Sequence, residues 1–134
     1  MFLDTSFCID LMRDQHRGAD GPATRKLREL GDTPLLASVF VLCELQAGAR
    51  LSRDPRRELR RVALFSESVT VVCPDPAFAV AYGEAEAHLR RRGAPIPTMD
   101  LLIGVAAKVH GLPLLANDPA HFALIPGLVV ESYR

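Results

Sequence analysis

Short, almost wholly apolar runs punctuate this chain: "MFL" at the start, "LLAS" from Leu35, "VTVV" from Val69, "LPLL" from Leu112 and "LVV" from Leu128. Runs of this length and character suit strands buried on both faces, and between them lie longer stretches with helical signals. "TSFCIDLMRD" puts Phe7, Ile9, Leu11 and Met12 on an apolar side, and "QHRGADGP" after it reads as a loop. Pro22 opens and Gly31 closes "PATRKLREL", an asymmetry typical of helices. Ser38 is placed to cap the helix that begins in "VFVLCELQAG", and Asp54 and Asp75, each followed by proline, cap the next two. The second of these ends on Arg90–Arg92 and Gly93, with cations at the negative end of the dipole and a terminator beyond. "MDLLIGVAAKVHG" forms a last apolar helix ending at Gly111, and "DPAHFALI" a helical turn before the final strand. Strand and helix therefore alternate throughout, which predicts an α/β fold: three layers, α/β/α, around a mainly parallel central sheet.

The bulk properties narrow the function. No linker, repeat or low-complexity segment breaks the 134 residues, so they read as one domain, 1–134, large enough for a core without staples. Cys8, Cys43 and Cys73 are far apart, odd in number and set among apolar residues, which predicts small buried hydrophobes in a reducing cytoplasm rather than a disulfide framework. The longest apolar stretch, "LLASVFVLC", is too short to cross a bilayer, and Asp4 leaves no room ahead of it for a signal peptide. The formal net charge is zero, but the basic residues are clustered: "RLSRDPRRELRR" holds Arg50, Arg53, Arg56, Arg57, Arg60 and Arg61, and "RRR" follows at Arg90. Arginine suits phosphate oxygens, and equally an ordinary solvated helix face.

Four carboxylates stand in apolar places. Asp4 ends the first strand, Glu44 lies inside "VFVLCELQAG", Asp100 sits in the first turn of an apolar helix, and Asp118 follows "LPLLAN". Taken singly, Asp4, Asp100 and Asp118 can each be helix caps. Glu44 is harder to place, because a carboxylate on an apolar helix face needs a partner. In open parallel sheets the crevice outside the carboxyl ends of the strands is where ligands bind, and Asp4 and Asp118 both belong to that edge. One shared partner explains all four. Oxygen donors without Cys or His point to Mg²⁺ or Mn²⁺ rather than zinc. The expectation is that Asp4, Glu44 and Asp100 converge within about 5 Å of a common point, as ligands of one ion at about 2.1 Å each require. No phosphate-binding glycine loop, Cys–His pair or nucleophile elbow supports another chemistry.

"LDTS", "CELQAG", "TMDLLIGVAAKVHGLPLLAND" and "HFALIPGLVVESY", in this order and over nearly the whole chain, resemble the PIN domain, and more closely its VapC-type toxins of bacterial toxin–antitoxin pairs. The resemblance implies an endoribonuclease dependent on Mg²⁺ or Mn²⁺, in which Asp4, Glu44, Asp100 and Asp118 are the catalytic and metal-holding acids and a metal-activated water attacks an RNA phosphodiester. Thr5 and Ser6 match the hydroxyl that supports such a site, Ser6 being preferred. It also implies a homodimer, silenced by a VapB-like antitoxin protein; the apolar stretches "FVLCELQAGARL" and "FAVAYGEAEAHL" offer surfaces for both. Two positions depart from the family pattern. Ala116 replaces a hydroxyl two places before the last acid, and His121, read as a surface histidine, replaces an acid before Phe122. Both thin the polar surroundings of Asp118. The alternative is a catalytically weak or inactive PIN module that binds RNA or a protein partner.

Overall fold

Each apolar run becomes a strand: β1 (Phe2–Leu3), β2 (Leu36–Ser38), β3 (Thr70–Val72), β4 (Leu114–Ala116) and β5 (Val130–Ser132). The structure, a computed structural model, describes residues 1–134. All strand pairs are parallel, in the order β3-β2-β1-β4-β5. The helices are α1 (Thr5–Arg17), α2 (Pro22–Leu30), α3 (Val39–Arg50), α4 (Pro55–Glu67), α5 (Ala77–Arg91) and α6 (Thr98–Val109), with a 3-10 turn at Phe122–Leu124. The chain thus steps outward from β1 to β3, then returns across the sheet to β4. Right-handed crossovers put α1–α4 on one face and α5 and α6 on the other. The helix packing follows that division: α1 meets α2 and α3, α3 meets α4, and α5 meets α6, with α3 also reaching α6.

β1 is central, with Phe2 paired to both Leu36 and Leu114 and Leu3 paired to Leu115. Phe2, Leu3 and the whole of β4 are buried, as strands covered on both faces must be. β3 is an edge strand, exposed at Thr70 and Val71. It is shorter than "SVTVVC" suggested because β2 offers only Leu36–Ser38 to pair with. The first helix is longer than expected. It runs through Gln15–Arg17, predicted as loop, because nothing breaks it before Gly18, whose left-handed backbone (φ 62°) lets its N–H close onto Asp14 and Gln15 carbonyls.

The caps follow the sequence signals. Ser38 accepts from the Val41 N–H, Asp54 from Arg57 and Asp75 from both Ala77 and Phe78. Of the cysteines only Cys8 is buried; Cys43 and Cys73 are exposed, because their apolar neighbours face the core and they do not. No helix is long and apolar enough to cross a membrane.

Gly104 decides how the end of the chain meets α6. A Cβ there would lie 2.4 Å from Ile125 Cδ1 and 3.3 Å from both Leu128 Cδ2 and Phe122 Cδ1. A side chain there would have to displace these side-chain ends, so glycine lets the buried Phe122 and Ile125 seat directly on the helix.

Candidate functional site

The strand order reverses between β1 and β4, and at such a switch point the carboxyl ends of neighbouring strands diverge to leave a crevice. Asp4 leaves β1 there, and Asn117 and Asp118 leave β4 beside it, with the Asp4 N–H bonded to the Leu115 carbonyl at 2.9 Å. Asp4 occupies the N-cap position of α1, yet its side chain makes no capping bond. Its Oδ2 accepts instead from Ser6 Oγ at 2.7 Å, and Ser6 Oγ in turn accepts from the Asn117 N–H at 3.3 Å. A single hydroxyl thus ties the first acid to the end of β4.

Asp4 is only 8% exposed. Burial raises its carboxyl above the ordinary range, the Ser6 bond offsets part of that, and the negative charge of Asp100 adds to the rise. A shift with these causes, in a crevice, marks a candidate functional group. Asp100 stands at the start of α6, where the positive end of the helix favours a carboxylate. Its side chain is 30% exposed, and its Oδ2 lies 2.8 Å from His121 Nδ1. Glu44 is half-buried, less covered than its apolar neighbours in α3 suggested. Its Oε1 accepts from Thr5 Oγ1 at 2.6 Å, so both hydroxyls of the "TS" pair serve an acid, Thr5 as well as the favoured Ser6. Asp118 is exposed, and its Oδ1 accepts from the Ala120 N–H at 3.1 Å, a local turn bond rather than a helix cap, since the 3-10 turn begins only at Phe122.

The acids therefore meet along one edge, but they do not close on one point. No three His, Cys, Asp or Glu side chains are gathered tightly enough to hold an ion. This departs from the expected convergence of Asp4, Glu44 and Asp100, and the physical cause is visible. Like charges repel, and each carboxylate has a nearby donor that satisfies it in place: Ser6, Thr5 and His121. The donor chemistry itself, buried or half-buried oxygen atoms without thiolates, fits a hard divalent cation.

Glu44 also lines a groove of about 260 Å³ between α1, α3 and α4, with Ile9, Met12, Leu45, Ala49 and Val62 on its apolar walls. Arg13, Arg61 and Glu58 stand at the same groove, and Arg61 is held by Glu58 at 2.8 Å. Arg53, Arg56 and Arg60 form no ion pair. Midway along α1, Asp10 accepts from Tyr133 Oη at 2.6 Å and from Arg134 at 2.8 Å, which fastens the helix to the residues just after β5.

The His121–Asp100 contact is the part of the site that sequence reasoning missed. The signal was the motif position before Phe122, but the side chain is 53% exposed, and an exposed histidine in a polar turn has no sequence mark that distinguishes it from a bystander.

The family model described as PIN domain matches residues 1–128. A tRNA(fMet)-specific endonuclease VapC of Shigella flexneri is 30% identical over 132 residues, covering 98% of this chain and 96% of that protein. Ribonuclease VapC1 of Haemophilus influenzae strain R2866 is 29% identical, covering 98% and 96%. Among solved structures, DNA-bound VapBC from Salmonella typhimurium superposes with a TM-score of 0.88 at 29% identity, covering 99% of this chain and 97% of that one. VapBC2 from Rickettsia felis, bound to a promoter DNA fragment, gives 0.89 at 25% identity, covering 99% and 98%.

Proposed function

The chain belongs to the PIN domain family, together with VapC ribonucleases, and from that premise we propose that it is the endoribonuclease toxin of a VapBC-type toxin–antitoxin pair. We take residues 1–134 as one PIN-like domain working in the cytoplasm, with Asp4, Glu44, Asp100 and Asp118 as its catalytic acids and Mg²⁺ or Mn²⁺ as its cofactor. The observation that carries the proposal is the buried Asp4 carboxylate, held beside Asp100 at the β1/β4 switch point and bonded by the Ser6 hydroxyl.

In the proposed reaction, Asp4, Glu44 and Asp100 would draw together to hold the cation, and Asp118 stands exposed after β4. A divalent cation held there would supply Lewis-acid chemistry to phosphodiester hydrolysis. The protein's own share is orientation. Ser6 fixes one oxygen of Asp4, and Thr5 fixes one oxygen of Glu44. Burial disfavours a lone Asp4 carboxylate charge, a cost that a nearby cation would offset. Arg53, Arg56 and Arg60, free of carboxylate partners, are available to RNA phosphates.

A VapB-like antitoxin and a homodimer complete the proposal. The neighbouring solved structures are VapBC complexes, which supports the first. Exposed Leu51 and Val80, 87% and 64% accessible on the two apolar stretches, support a paired surface. A catalytically inactive PIN module is the second reading, favoured by the local engagement of Asp118 and by Ala116 beneath it.

The test is incubation of the purified chain with total transfer RNA, the substrate class named for the Shigella relative, with Mg²⁺ and with chelator. Metal-dependent cleavage that Asp4→Asn abolishes is the expected result. RNA binding without cleavage would replace the nuclease by the binding module.

A further inference from the structure

His121 lies on a turn that the fold holds at both ends. Before it, Asp118 Oδ1 accepts from the Ala120 N–H at 3.1 Å, and the Ala123 N–H bonds to the Pro119 carbonyl at 2.8 Å. After it, Phe122 and Ile125, 3% and 2% exposed, are seated against Gly104. Gly104 and Asp100 are one turn apart on α6, hence on the same face. A turn docked at Gly104 therefore carries residue 121 over residue 100, and His121 Nδ1 meets Asp100 Oδ2 at 2.8 Å. An ionised carboxylate only accepts, so the imidazole donates from Nδ1.

The same arrangement recurs at the other two acids. Ser6 holds one oxygen of Asp4, Thr5 one oxygen of Glu44, and His121 one oxygen of Asp100. In each case the second oxygen has no side-chain donor. Such one-sided bonds fix a carboxylate plane and leave one oxygen to a ligand, which is how partners of metal-holding groups set affinity.

We propose that His121 is a positioning residue for divalent-cation binding: its Nδ1–H orients the Asp100 carboxylate so that the free oxygen faces the Asp4 side of the crevice. The proposal rests on the metal-site reading of Asp100. His121 does the work for Asp100 that Ser6 and Thr5 do for the other two acids, in a position where the family pattern has an acid.

Mn²⁺ binding to the full chain, without RNA, tests this by electron paramagnetic resonance titration, with melting temperature measured in parallel. Wild type should bind, and His121→Ala should bind about 10-fold or more weakly with its melting temperature unchanged. His121→Asn, whose side-chain amide can donate from nearly the Nδ1 position, should recover most of the affinity. Equal or tighter Mn²⁺ binding by His121→Ala overturns the positioning role, and so does an His121→Asn variant as weak as the alanine. Failure of wild type to bind Mn²⁺ overturns the metal site itself and this inference with it. Wild-type binding with an unaffected His121→Ala overturns the inference alone.

Discussion

Gly104→Ala should destabilise the protein although it improves a helix. Alanine in a helix interior is favoured over glycine by about 1 kcal/mol. The new methyl, however, would stand 2.4 Å from Ile125 Cδ1 and 3.3 Å from Leu128 Cδ2 and Phe122 Cδ1. Carbon atoms rest at about 3.5–4.0 Å, so the Ile125 methyl must retreat by roughly 1 Å or more. Ile125 is 2% exposed and Phe122 is 3% exposed, which leaves little space for that retreat. Overpacking of this kind costs about 1–3 kcal/mol, so the net change is a loss of about 0–2 kcal/mol. Gly83 is the internal control. It too lies inside a helix, α5, but a Cβ there meets nothing within 4 Å. Gly83→Ala should therefore gain about 1 kcal/mol, from propensity alone. Urea unfolding of the two variants, with equal m-values, isolates the packing cost as their difference, about 1–3 kcal/mol. Equal stabilisation by both substitutions would refute the close approach of the terminal turn to α6, and with it the device that holds His121 over Asp100.

Asp4→Asn removes a buried charge that faces Asp100 and keeps an oxygen to accept from Ser6, so without added metal it should melt above wild type while losing RNA cleavage. Asp100→Ala should abolish cleavage of transfer RNA with the circular dichroism spectrum intact; retained cleavage at saturating Mg²⁺ would remove Asp100 from the catalytic set. Tyr133→Phe deletes the 2.6 Å bond to Asp10 and should cost about 1–2 kcal/mol in urea unfolding near neutral pH. The effect of Asp10 should depend on acid. Burial pushes its carboxyl up, but the Tyr133 and Arg134 bonds outweigh burial and hold it below the ordinary range. A depressed native value contributes stability above the unfolded value of about 3.9 and loses it as pH falls through the native value. The penalty of Asp10→Asn should thus be full at pH 7 and shrink on acidification below about pH 4; a penalty that grows instead would contradict the assignment.

The elements were legible because their boundaries are chemical. Proline or a capping side chain opens α2, α3 and α4, and Gly93 and Gly111 take left-handed backbones where α5 and α6 have ended. The three acids Asp4, Asp100 and Glu44 were visible because carboxylates in apolar segments demand partners. What those partners are was not visible. The contacts Thr5–Glu44, Ser6–Asn117 and His121–Asp100 span 39, 111 and 21 positions, and no local pattern encodes them. Glu44 was misjudged in depth for a related reason: its neighbours on α3 are apolar, but burial depends on which side of the helix a position occupies, and the groove leaves that side open.

Placing β1 at the centre of the sheet has a consequence for synthesis on the ribosome. The first strand to emerge is flanked on one side by β2 and on the other by β4, which is made only after residue 114. Loop closure over so long a span delays the pairing whatever its strength, and non-local parallel pairings fold late. The Ser6 link to Asn117 cannot form earlier still. A nascent chain therefore carries Asp4 with only half of its crevice until β4 has been made. The candidate site is assembled from residues as far apart as Asp4 and Asp118, and a product terminated before β4 would hold the first three acids without the strand that completes the crevice.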